Sequence, residues 1–310
     1  MEAGAQTARR LLPGRSRRGV RVSDGVFASA LTLPAILLTL AVLAYPLVYS
    51  FWLSLHDVSL AGGPSTWVGL DNYRDAIESP LFWPAAWRTI WFSAIVTVLT
   101  TVLSFLFALA LNREFPGRDL LRGLMILPWA LSQIMLALTF GWIYNSSYGP
   151  LNGILYDTGI ISSYVTWFAT GRDVLLLMSL ALVWSLVPFA TLLYLGALQT
   201  VPDVLHRAAR VDGANWFQRL RLITLPWTRG TTLVVVVLAA VNGFISFGPI
   251  YLLTGGGPGT ETTVLSWLGY TAAFRDFEVG LGAAIFYLMT LMVLAISGLV
   301  MLLLGWARRD

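Results

Sequence analysis

The chain has 310 residues, 57% hydrophobic and only 12% charged, with a mean hydropathy of +0.73, which is too apolar for a soluble domain of this length. Its formal charge of +4 comes from 20 Arg and no Lys, and Cys is absent. Disulfides, thiol chemistry, Cys-ligated metal, a Schiff base and a P-loop lysine are therefore excluded. His56 and His206 are the only histidines and fall in segments on opposite sides of the expected membrane, so no catalytic or metal-ligating constellation remains.

Crossing the hydrocarbon core takes about 20 apolar residues, and six such runs are present, near 27–55, 87–111, 120–144, 174–198, 231–253 and 279–306. A basic tail, residues 1–24, precedes them and carries Arg9, Arg10, Arg15, Arg17, Arg18 and Arg21. The first run is too long for the apolar core of a signal peptide, and no small-x-small cleavage site follows it. Between the first two runs, residues 59–67 are rich in Gly, Ser and Pro and are expected to be loop. A short amphipathic segment at the membrane interface, including Ala76, Ile77, Leu81 and Trp87, leads into the second run.

Residues 112–119 form a short turn that joins antiparallel neighbours. Residues 145–172 make an outer loop long enough for a small helix near 151–156. After the fourth run comes a polar insert, 200–226. Pro202 suits the first turn of a helix, with Thr200 as its N-cap. Asp212 and Gly213 end that helix, Gly213 being free to take positive φ. A second helix from Asn215 is expected to carry Trp216, Phe217, Leu220 and Ile223 on one face, with Pro226 at the entry to the fifth run. A glycine-rich stretch, 255–259, opens the last outer loop but has no following Lys and no strand-to-helix context for a phosphate cradle.

With the amino terminus inside, sixteen of the 20 Arg lie on the cytoplasmic side, and only Arg74, Arg88, Arg172 and Arg275 lie outside. That asymmetry is the positive-inside signature of six spans with both ends in the cytoplasm. The basic balance is thus a topology signal, and no nucleic-acid surface is read into it.

The spans hold almost no ionisable residue, which argues against proton or metal translocation and for a neutral solute. Polar and aromatic groups remain at Gln133 and Trp142 in the third run, at Trp184, Ser185 and Phe189 around Pro188 in the fourth, and at Asn242 and Ser246 in the fifth. Aromatic faces beside amides and hydroxyls suit a sugar, whose C–H faces stack while its hydroxyls hydrogen-bond. Each residue also has a purely structural reading, as interfacial Trp or as polar glue between helices.

The insert reads R-A-A-R-V-D-G-A and ends I-T-L-P. Ala208, Ala209, Asp212, Gly213, Ala214, Ile223, Leu225 and Pro226 match the EAA loop of ABC importer permeases, while Arg207 stands where that family usually has Glu. V-G-L-D-N-Y at 68–73 and L-T-G-G-G-P at 253–258 are similar to segments of carbohydrate-type members. From about Pro34 to Leu304 the chain resembles permease subunits of the maltose/glycerol-phosphate-type, binding-protein-dependent carbohydrate-uptake family.

That resemblance implies an all-α integral protein of a bacterial cell membrane, with six transmembrane helices, both ends inside, and a cytoplasmic coupling helix-turn-helix. Arg207, Ala208, Ala209, Asp212, Gly213 and Ala214 would meet an ABC ATPase dimer, which binds the ATP and Mg, leaving this chain non-catalytic and without a cofactor. The further partners implied are a second, homologous permease completing a heterodimeric pore, an extracytoplasmic solute-binding protein, membrane lipid and the sugar itself. In related sugar permeases the spans flanking the loop line the solute site, and counting from the loop this resemblance implies Trp184, Ser185, Phe189, Asn242 and Gly243 for that region. The alternatives are a glycerol-3-phosphate-type ABC permease and a stand-alone secondary transporter, which would carry inverted repeats and intramembrane charges.

Overall fold

The structure is a computed structural model that describes residues 24–59 and 62–306, with side chains described from 29 to 302. Most of the expected basic tail, and Arg308 and Arg309 at the other end, lie outside the described residues. Contacts divide the chain into one unit ending at Tyr49 and another beginning at Ser50.

Helix α1 (Asp24–Ser54) is predominantly apolar and tolerates Pro34 and Pro46 in its interior. It is followed by a two-stranded antiparallel hairpin, β1 (His56–Asp57) with β2 (Thr66–Trp67), pairing His56 with Trp67. The expected loop at 59–67 thus ends in a strand. The Asn72 amide donates to the carbonyls of Ser54 and His56 at 3.0 and 2.9 Å, which explains what the Asn of V-G-L-D-N-Y does here. Asn72 belongs to α2 (Asp71–Glu78). Helix α3 (Phe82–Leu111) then begins five residues before the apolar run suggested, because Trp83, Pro84 and Ala85 continue the turn.

The expected single helix over 120–144 is corrected to two. Helix α4 (Arg118–Met125) and α5 (Gln133–Ile143) are separated by irregular backbone. Pro128 has no N–H to continue the ladder and disfavours helix at the residue before it, and Ser132 restarts the helix by accepting from Met135 N at 3.3 Å. The outer loop holds α6 (Pro150–Asp157), followed by α7 (Gly171–Gln199). The insert contains α8 (Asp203–Val211), α9 (Trp216–Arg219), a π-helical turn (Leu220–Thr224) and α10 (Leu225–Trp227).

The fifth run is also interrupted. Helix α11 (Arg229–Phe244) stops, and α12 (Gly248–Leu253) resumes with Pro249 in its first turn. Helix α13 (Leu265–Phe274) was expected to be loop; it is ten residues long and too short to register as a span. Helix α14 (Val279–Trp306) ends the described chain. Among the described residues α1, α3, α7 and α14, and the interrupted α11–α12 stretch taken together as Arg229–Leu253, are long and apolar enough to cross a membrane, and α5, with 11 residues, is not.

Helix α3 is the axis of the second unit, packed along α7 and α11. Phe92 and Val96 sit with Met178, Leu182 and Ile250 in one buried cluster, while Leu111 joins Tyr194, Leu198 and Val235 in another. Small residues set the close approach. A Cβ on Gly243 would fall 2.7 Å from Ser93 Cα, and Ser93 Oγ donates to Ala240 O at 2.9 Å. Thr89 Oγ1 accepts from Leu265 N at 2.9 Å and so fastens α13 to α3.

Candidate substrate pathway and coupling loop

The insert forms a knob built by local chemistry. Gly213 has φ of +79°. Its N–H donates to Arg210 O at 3.1 Å and the Ala214 N–H donates to Ala209 O at 2.8 Å. This is the Schellman arrangement, which satisfies the last carbonyls of α8. Two residues later Asn215 opens α9 with a reciprocal capping box: Gln218 N donates to Asn215 Oδ1 at 2.9 Å, and Asn215 N donates to Gln218 Oε1 at 2.7 Å.

Two details of the knob differ from expectation. Thr200 is not the N-cap of α8, a position held by Pro202. It ends α7 instead, donating to Ala197 O at 2.8 Å and accepting from the Trp227 indole at 3.0 Å. Trp216 and Phe217 are exposed whereas Leu220 and Ile223 are half-buried, so the four do not share one face. The π-helical turn at Leu220–Thr224 widens the helix there and rotates the later residues away.

The knob presents apolar groups with nothing packed on them. Val211 is 87% exposed and Phe217 62%. Arg207, Ala208, Asp212 and Gly213 are exposed too, and Arg207 has no ion-pair partner among the described residues. The knob's two roots are tied twice, by Trp227 to Thr200 and by the Tyr194 hydroxyl donating to Thr232 Oγ1 at 3.0 Å.

Within the helices rooted in the knob lies a cavity of about 110 Å³. Thr100 of α3, Trp129 of the interrupted third run, Phe189 and Leu193 of α7, and Val235 and Asn242 of α11 are among its walls. Trp129 and Phe189 stack with centroids 5.0 Å apart and planes 12° from parallel. Thr100 Oγ1 is buried without a hydrogen-bond partner among the described residues, while Asn242 Nδ2 donates to Leu238 O at 2.8 Å, leaving its Oδ1 as an acceptor. Irregular backbone at membrane depth is tolerated where it lines a cavity, and the third run breaks beside this one.

Of the eight residues expected along the pathway, the cavity gathers Phe189 and Asn242. Ser185 lies next to it, its hydroxyl donating to Pro128 O at 3.4 Å. Trp184 is part-exposed and edge-on to Phe140. Gln133 begins α5 against Gly248, and Trp142 is exposed near the far end of α5. Gly243 is a contact point of α11 on α3. Ser246 is buried in the α11–α12 break, where its carbonyl accepts from Ser266 Oγ at 2.8 Å. Sequence reasoning missed Trp129 and Thr100. Pro128 signalled the break that carries Trp129, but nothing in the sequence separates Thr100 from threonines that merely join helices.

The sequence pattern of the family described as "Binding-protein-dependent transport system inner membrane component" matches residues 100–310. The chain belongs to that family. It is a multi-pass membrane permease subunit of an importer. The permease is 38% identical over 279 residues to the trehalose/maltose transport system permease protein MalF of Thermococcus litoralis, covering 90% of this chain and 93% of that one. It is 33% identical over 272 residues to the trehalose transport system permease protein SugA of Mycobacterium tuberculosis, covering 87% and 86%. Its fold matches a chain in the crystal structure of a bacterial ABC transporter involved in the import of the acidic polysaccharide alginate, with a TM-score of 0.76 over 90% of this chain and 95% of that chain, at 22% identity.

Proposed function

We propose that this permease forms one half of a carbohydrate pore and couples it to a cytoplasmic ATPase through the α8–α9 knob. The observation that carries the proposal is the double tie at the knob's base. Trp227 of α10 ties to Thr200 at the end of α7, and Tyr194 of α7 ties to Thr232 of α11, and α7 and α11 wall the cavity about three turns above, since Phe189 precedes Thr200 by 11 residues at about 1.5 Å per residue. A displacement of the knob is therefore a displacement of the cavity walls.

The reading includes six spans with both ends inside, the α4–α5 segment serving as an interrupted third span. Helix α5 alone is about 16 Å long at 1.5 Å per residue, half the hydrocarbon thickness. Exposed Val204, Val211 and Phe217 would seat in the ATPase, with Ala208 allowing close approach and ATP and Mg held by that partner. This chain itself would carry no catalysis and no cofactor. Arg207, unpaired and exposed, contributes little, because exposed ion pairs add only about 0–1 kcal/mol.

A carbohydrate is supported by the stacked Trp129 and Phe189, the free Thr100 hydroxyl and the Asn242 amide, and by the sugars in the names of MalF and SugA. The cavity is smaller than the roughly 300–1,000 Å³ of small-molecule sites, so a second, homologous permease would supply the opposite wall and a solute-binding protein would deliver the sugar. No cation lines the cavity among the described residues, which disfavours glycerol-3-phosphate. Uptake of radiolabelled sugars by the reconstituted complex, with and without Trp129→Ala, tests this. Unchanged uptake in the variant would remove the cavity from the pathway.

A further inference from the structure

At the end of α3 and α7 opposite the knob lies a second pocket, of about 540 Å³, within the size range of small-molecule sites. Its walls include Trp87, Arg88 and Trp91 of α3, Arg172 and Leu175 of α7, and Glu261 of the loop before α13. Arg88 donates through Nη1 to Thr263 O at 3.4 Å. Arg172 has no ion pair or hydrogen bond among the described residues. The one carboxylate in the lining is already engaged, Glu261 Oε2 accepting the Gly171 N–H at 2.7 Å. Asp173, the nearby acid on α7, accepts from the Thr170 hydroxyl at 2.7 Å. Two guanidinium groups thus face a space walled by two indoles.

The depth of the pocket narrows what it receives. Helix α3 has 30 residues, about 45 Å at 1.5 Å per residue, or roughly 15 Å more than the hydrocarbon core. Centred in the bilayer, its first five residues lie outside the core, and Trp87 and Arg88 stand at the boundary. Arg172, second in α7, is slightly higher. This is the level of lipid phosphates and glycerol, where Trp and Arg anchor. From the mouth of the pocket an exposed apolar stripe runs down α3 through Val98, Val102 and Leu106, continuing Trp83 and Trp87.

We propose that this pocket binds the phosphate of an anionic phospholipid, held by Arg88 and Arg172, with its acyl chains lying along the α3 stripe. The outer leaflet follows from the topology proposed above; the binding chemistry does not depend on it. A stripe of acyl-compatible surface leading directly from a basic pocket fits a lipid better than an acidic side chain of a docking protein, which would need polar surface around it.

The test is native mass spectrometry of the intact transporter taken from nanodiscs of phosphatidylcholine containing a minor fraction of phosphatidylglycerol. Phosphatidylglycerol should be retained in preference, Arg172→Gln should lower its retention about fivefold, and Arg172→Lys should restore most of it. Millimolar inorganic phosphate or glycerol phosphate should fail to displace it. Equal retention of both lipids, or unchanged retention in Arg172→Gln, overturns the proposal. Displacement by inorganic phosphate overturns the lipid in favour of a free anion. Unchanged lipid with weakened capture of the solute-binding protein overturns it in favour of a docking contact.

Discussion

The knob and the cavity are built by different means. The knob owes its shape to residues within a few positions of one another: a Gly at φ +79°, two backbone hydrogen bonds closing the turn, and an Asn–Gln capping box. The cavity is made by α3, the interruption of the third run, α7 and α11, four separate segments spread along the chain from Thr100 to Asn242. A local device fails when one backbone angle is wrong. A wall assembled from distant helices gives way by degrees, so substitutions in the two regions should differ in severity and in kind.

The largest effect is expected at Gly213. A Cβ there meets nothing within 4 Å, so the penalty is backbone strain rather than collision, and β-branched residues suffer most from positive φ. Gly213→Val should insert and assemble yet lose at least tenfold in solute-stimulated ATP hydrolysis, while Gly213→Asn, which tolerates that conformation, should retain most of it. Equal loss in both variants would point to contact with the ATPase instead of turn geometry.

In the cavity, Trp129→Ala should raise the sugar KM about three- to tenfold with the complex still assembled, the scale of one lost aromatic stacking partner. Measured initial uptake rates across sugar concentration separate this from a folding defect. Thr100→Val sharpens the contrast further. It removes a buried hydroxyl that has no partner among the described residues, so thermal stability should hold or rise by about 1 kcal/mol, yet uptake should fall if the hydroxyl meets the solute. A smaller effect is expected at the join between the regions. Thr200→Val breaks the Trp227 bond, worth about 0.5–1.5 kcal/mol, and should leave uptake in place while lowering sugar transported per ATP.

The same contrast explains what was legible in the sequence. The turn at Asp212 and Gly213 and the helix start near Asn215 follow from residue type alone, and of the six apolar runs four are single long helices while the third and fifth are interrupted. The break at Pro128 was written in the sequence but outweighed by the surrounding apolar residues, and α13 was hidden by its brevity. Thr200 lies between two helix ends, α7 stopping at Gln199 and α8 starting at Asp203, and its bonds to Ala197 and the distant Trp227 tie it to α7, which residue type alone does not reveal. Of the pathway residues, Phe189 and Asn242 share the cavity, whereas Gly243 and Ser246 serve packing, since helix rotation about α11 is set by contacts with α3 and α13 that no local pattern encodes.

The account's central claim is that the knob moves the cavity. Because the chain has no cysteine, Asn242→Cys gives a single reporter in the cavity wall, and its rate of modification by a soluble maleimide can be followed on this subunit in the assembled transporter. The account predicts that adding ATP, or trapping the ATPase, changes that rate severalfold, and that the change disappears when Gly213→Val is combined with Asn242→Cys. A rate that is indifferent to nucleotide, or that responds equally with Gly213→Val present, would contradict it.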